Sequence, residues 1–145
     1  MSDFEIRGME QLLRKLQKLP EDVARDVATA ALMKVAEPVV DEAKARAPRR
    51  TGAGASHIEA ASRRQGTFEF AVSVGPSVKT QASRREGFYL RFVELGTGPR
   101  STKAGASRGS MPRKPFLRPA LDAKSREAVS IAGRELARGI ERAAK

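Results

Sequence analysis

A lone histidine, an acid that closes an apolar run, two acidic pairs and a glycine-rich turn are the places where this chain could do chemistry. His57 is the only histidine. An imidazole acts as general acid, general base or metal ligand within a constellation of partners. His57 sits beside Ser56 in a weakly apolar stretch without such a set, so it reads as a bystander. Asp41-Glu42 and Glu21-Asp22 lie at helical positions, where solvated or dipole-facing carboxylates are routine. Thr51-Gly-Ala-Gly54 is glycine-rich and follows Arg49 and Arg50, but a phosphate-binding loop needs G-x-x-x-x-G-K-[ST] after a strand. This turn follows a helix and has no such lysine. Glu94 ends an apolar element before Leu-Gly-Thr. There it can accept hydrogen bonds from loop amides or pair with an arginine such as Arg118, a role in fixing a turn more than in catalysis.

With no nucleophile dyad, acid cluster or ligand set, the reading is a protein without enzymatic activity, metal or cofactor. Cysteine is absent, which removes disulfides and thiolate chemistry. The N-terminus has no basic, apolar leader pattern, so no signal peptide is expected. No apolar run approaches the roughly eighteen residues that suggest a membrane span.

Charge is the strongest bulk signal. Lys plus Arg is 28 against 17 Asp plus Glu, a net +11. The excess is local: residues 43–85 and 96–120 hold it, and the latter stretch contains no acid. Arg100, Lys103, Arg108, Arg113 and Lys114 form a basic arm, which Arg63, Arg64, Arg84 and Arg85 could join. Localised positive charge favours phosphates or an acidic protein surface. No recognition helix or interleaved aromatics accompany it, so contact with duplex DNA would be nonspecific.

The elements that position these residues follow from periodicity. Phe4 and Ile6 alternate as a short strand. Leu12, Leu13, Leu16 and Leu19 predict a helix over about 9–18, stopped at Pro20. A second, alanine-rich helix runs from Pro20 to Ala47, with a kink expected at Pro38. Residues 47–54 read as loop. Residues 56–62 and 67–74 read as strands, with Phe68, Phe70, Val72 and Val74 on one face and Gly66 in the turn. Residues 77–86 read as loop, 88–95 as a short helix, and 96–114 as a long basic loop. A C-terminal helix follows Pro115-Phe116, with Gly133 and Gly139 weakening its end. The expectation is a single α+β domain over 1–145. In it the kinked helix and the C-terminal helix pack on a small antiparallel sheet, and a flexible basic loop spans 98–114. The alanine-rich core is thin, so oligomerisation is expected to help.

Five segments occur in a particular order: Leu13-x-x-Leu16-x-x-Leu19-Pro20, Ala43-Lys-Ala-Arg-Ala-Pro48 with Thr51-Gly52, Val72-x-Val74-Gly75, Tyr89…Val93-Glu94-x-Gly96-Thr97, and Pro115-Phe-Leu-Arg-Pro-Ala120. Together they resemble the neck or tail-completion proteins of long-tailed bacteriophages, also described as head–tail joining or minor tail components. The resemblance covers roughly residues 4–140. It implies a virion protein assembled in the host bacterial cytoplasm, a ring of copies, six being the expected number, and a role in tail completion and head–tail joining. It implies as partners a head-closure or connector protein, the tail terminator or tail tube protein, and the passing genomic duplex. The tail terminator ring itself and a nonspecific DNA-binding protein are the alternatives. On this reading Glu94, Gly96, Thr97, Phe116, Leu117 and Pro119 anchor the loop. Phe116→Ala is expected to abolish assembly while the chain stays soluble.

Overall fold

A computed structural model describes residues 8–49 and 52–145. The expected strand at Phe4 and Ile6, and the start of the Thr51-Gly turn, lie outside them. The fold is α+β. Among the described residues five helices alternate with two two-stranded sheets: α1 (Met9–Gln17), α2 (Glu21–Arg46), α3 (Ala53–Ser56), β1 (Ile58–Arg64), β2 (Phe70–Pro76), α4 (Gln81–Leu95), β3 (Thr97–Ser101), β4 (Ser107–Met111) and α5 (Leu117–Ala143). β1 pairs with β2 and β3 with β4.

The described residues fall into two compact units. One takes the residues up to Val39 together with Ala60–Ser73 and Lys124–Lys145; the other takes Val40–Glu59 and Val74–Ala123. Each has its own apolar cluster. In the first, Leu16, Ala24, Ala28 and Ile140 are buried, with Leu12, Leu19, Val27, Phe70 and Leu136 packed against them. In the second, Ala43, Ala47, Ile58, Leu90, Val93, Phe116 and Ala120 are buried.

The helices follow their sequence signals. α1 begins after Gly8, whose φ of 91° is left-handed and suits glycine. Glu21 and Asp22 occupy the first turn of α2, where carboxylates complement the helix dipole. The buried face of α2 is made of small residues: Ala24, Ala28, Ala31, Ala36, Val39 and Ala43. The helix assignment continues through Pro38. At ~1.5 Å per residue it is about 39 Å long.

Two glycines permit close approach. A Cβ on Gly139 would lie 2.6 Å from Val27 Cγ1, and one on Gly87 would lie 2.8 Å from Pro76 Cβ. Neither distance is tolerable, so Gly139 is a packing position and not merely a weak spot near the end of α5.

Three expected boundaries change. The strands shift toward the C-terminus, so Phe68 precedes β2 and is 41% exposed. The stretch read as loop over 77–86 contains the start of α4. Its cap is Thr80: the Thr80 hydroxyl accepts from Ser83 N at 3.1 Å, and Thr80 N donates to Ser83 Oγ at 2.9 Å. This reciprocal cap satisfies two backbone donors and starts the helix seven residues before Phe88. The segment 96–114, read as a long loop, is largely the β3–β4 hairpin. The described residues thus form two small antiparallel sheets, where one was expected.

Candidate functional site

The β3–β4 hairpin carries the basic arm. Arg100 lies on β3, Lys103 in the turn, Arg108 on β4, and Arg113 and Lys114 just beyond it; all are exposed. The ladder is antiparallel, with Thr97 opposite Met111, Arg100 opposite Gly109 and Ser101 opposite Ser107, and the register is irregular on either side of Arg100. Gly109 has a φ of 66°, as a glycine at a bulge does. In the turn Thr102 N donates to Ala106 O at 2.8 Å and Gly105 N to Thr102 O at 2.9 Å. Ala106 N donates to the Thr102 hydroxyl at 3.1 Å. Of the strand residues only Thr97 and Met111 are half-buried. The hairpin is therefore held by its backbone and by its base, without an apolar face of its own.

Glu94 forms that base. Its Oε2 accepts from Phe116 N at 2.7 Å and Leu117 N at 3.0 Å, and its Oε1 accepts from Arg118 N at 3.3 Å. These are the donors that the first turn of α5 cannot pair internally. Pro119 has no N–H to satisfy. Ala120 N then makes a helical bond to Phe116 O at 3.2 Å. A carboxylate from α4 thus caps α5 and places negative charge at its dipole's positive end. Of the two roles open to Glu94, the structure shows the amide one. Arg118 pairs instead with Asp122 at 3.4 Å.

The rest of the junction is tight. Lys114 N donates to Val93 O at 2.8 Å. Met111 N donates to the Thr97 hydroxyl at 2.9 Å. Gly96 has a φ of 71°, and a Cβ there would stand 3.0 Å from Arg113 N and 3.1 Å from Met111 O. Phe116 is 2% exposed, and Leu117 packs against the same cluster. The six residues read as anchors are therefore brought together at the foot of the hairpin and the start of α5.

The other candidates have partners of their own. Arg64 lies on β1 and pairs with Glu21. Its Nε donates to Gly66 O at 2.8 Å. His57 is half-buried at the end of α3, and its backbone carbonyl accepts from Ser77 N at 2.7 Å. The Lys79 ammonium lies 2.9 Å from Glu59. Its hydrogen bond, followed by one from Ser77, holds the Glu59 carboxyl below its ordinary range. Lys34 is raised above its ordinary range by its hydrogen bond to Glu37. Both are exposed surface pairs. Among the described residues no group of three or more His, Cys, Asp or Glu could hold a metal ion, and no helix is long and apolar enough to cross a membrane.

The Thr80 cap went unread, although its Thr-x-x-Ser spacing was visible. So did the exposed apolar residues Val78, Phe88 and Leu95, which are 64%, 64% and 60% exposed. Residue type alone marks such side chains for the interior, and nothing local signals otherwise.

No curated protein and no solved structure matches this chain. Residues 10–96 match the family model described as "Bacteriophage HK97-gp10, putative tail-component". The matched stretch runs from α1 through α4 and ends on Gly96, so it takes in the Glu94 cap but stops before the hairpin. A match over more than half of the chain, ending at the junction that organises the basic arm, shows that the chain belongs to the HK97-gp10-like family of bacteriophage proteins.

Proposed function

We propose that this chain is a structural, non-enzymatic protein of the phage neck. Copies of it form a ring, six as the working number, that completes the tail and joins it to the filled head. Its partners are further copies, a head-closure or connector protein, and the tail terminator or tail tube protein. The genomic duplex passes through without sequence readout. On this reading the chain resides in the virion and is assembled in the host bacterial cytoplasm.

The observation that carries the reading is the β3–β4 hairpin. It is an exposed ribbon with bases and no acid, fixed at its foot by Glu94. An isolated two-stranded hairpin is marginal in water, so one that projects from an anchored base is suited to contact with a neighbour. Arg100, Lys103 and Arg108 meet acids of an adjacent subunit or ring, and Arg113 and Lys114 lie at the foot. A ring requires two different patches per subunit and a rotation that closes.

The test is electron microscopy of particles made without this chain. Filled heads and tails of normal length that fail to join are expected. Overlong tubes would move the assignment to the tail terminator. Normal joined particles, together with tight salt-sensitive duplex binding by the purified chain, would favour a DNA-binding protein.

A further inference from the structure

The second unit carries an apolar groove to which the neck reading assigns no role. It has a volume of about 440 Å³, and its apolar lining includes Val78, Phe88, Leu95 and Leu117. Three of these are large side chains that are more than half exposed. A monomeric surface scatters such residues singly; concentrated in one concave place, they mark a contact site. The groove is also built on rigid parts. Gly87 lets α4 approach Pro76. The Phe88 and Phe92 rings meet edge to face at 4.6 Å. Leu117 belongs to the helix capped by Glu94.

Its rim is positive. Arg84 and Arg91 both line the groove. Arg84 Nε donates to the neutral Val78 carbonyl at 2.9 Å, and Arg84 makes no ion pair among the described residues. Arg91 makes no ion pair among the described residues. Glu94 also lines the groove, but both of its oxygens accept from the backbone of α5. On α4, Arg84, Phe88, Arg91 and Leu95 stand at steps of four, three and four. This places alternating charged and apolar side chains along one exposed stripe.

We propose that this groove takes an amphipathic helix with an apolar face and acidic flanks, from a protein other than this one. A helix laid along α4 would set its apolar residues between Phe88 and Leu95 at the same repeat. Its acids would meet Arg84 and Arg91. A second copy of this chain is the poorer occupant for two reasons. It carries +11, so copies repel. Moreover, Glu10, Glu21, Asp26, Glu37, Glu42, Glu59, Asp122, Glu127 and Glu135 are already in ion pairs within the chain, and Glu94 caps α5.

Fluorescence anisotropy of the full chain tests this with three synthetic labelled helical peptides: leucine with glutamate flanks, leucine with lysine flanks, and alanine with glutamate flanks. The leucine–glutamate peptide should bind best. Phe88→Ser with Leu95→Ser should weaken it by at least about tenfold, the affinity equivalent of losing one buried large apolar side chain. Arg84→Glu with Arg91→Glu should shift preference to the leucine–lysine peptide. All four positions are exposed, and circular dichroism confirms that each variant is folded. Equal binding to wild type and variants, or no preference for leucine over alanine, would overturn the proposal. So would sedimentation showing that wild-type copies associate through this face and the Phe88→Ser, Leu95→Ser chain does not.

Discussion

At the residue scale, Glu94 links α4 to the start of α5. One carboxylate meets the backbone amides of Phe116, Leu117 and Arg118, and hydrogen bonds to a charged acceptor are the stronger kind. Glu94→Gln keeps one carbonyl acceptor but turns an amide group toward donors. The expected cost is about 1–3 kcal/mol, read as a lower urea midpoint at unchanged slope. Unchanged stability would show that Glu94 does not hold the start of α5. Phe116 acts differently. Its burial in the cluster with Ile58, Leu90 and Val93 means that Phe116→Ala should cost about 3–5 kcal/mol. Beside the expected loss of assembly by a chain that stays soluble, so buried a side chain makes the fold itself sensitive to the change; thermal unfolding should show the lost stability directly.

At the element scale, the glycines of α5 separate packing from propensity. Both Gly133 and Gly139 lie in helical residues, and a helical glycine costs about 1 kcal/mol relative to alanine. A Cβ on Gly133 meets nothing within 4 Å, whereas one on Gly139 meets Val27. Gly133→Ala should therefore raise the melting temperature and Gly139→Ala should lower it. If both raise it, the contact of α5 with Val27 yields without cost. Sequence reading could not make this distinction, because both glycines look alike along the chain. It did find α1, α2 and α5, whose apolar spacing runs over many residues. It found the α+β class, and it singled out Glu94, Gly96 and Pro115-Phe116 because they are distinctive locally. It missed the hairpin because β3 and β4 contain no apolar alternation: Thr97-Gly-Pro-Arg-Ser101 and Ser107-Arg-Gly-Ser-Met111 pair through backbone bonds and a turn around Thr102 and Gly105. It placed α4 too late because the Thr80–Ser83 cap precedes a polar, arginine-rich first turn.

At the scale of the whole molecule, charge sets the salt dependence of both associations. Copies carrying +11 repel, and salt screens that repulsion over a Debye length of about 10 Å at 0.1 M. A ring contact carried by apolar patches should therefore strengthen as salt rises, whereas one carried by the hairpin's bases on a neighbour's acids should weaken. Duplex DNA contact releases counterions and should weaken, with a slope in log K against log salt of about −0.9 per phosphate neutralised. Replacing Arg100, Lys103, Arg108, Arg113 and Lys114 by glutamine removes five of the 28 basic residues. If all five touch phosphates, the slope should become shallower by about 4–5. The fold should survive, because these side chains are exposed and the hairpin's foot is held by Glu94, Gly96 and Thr97. Light scattering across a salt series, with a parallel duplex titration, reads both effects in one preparation. Association that grows with salt in both chains, beside a DNA slope that flattens only in the glutamine chain, assigns the hairpin to phosphates and ring closure to other surfaces. A slope unchanged by the five replacements would remove DNA from the hairpin's partners and leave the acidic surface of a neighbouring protein as its target.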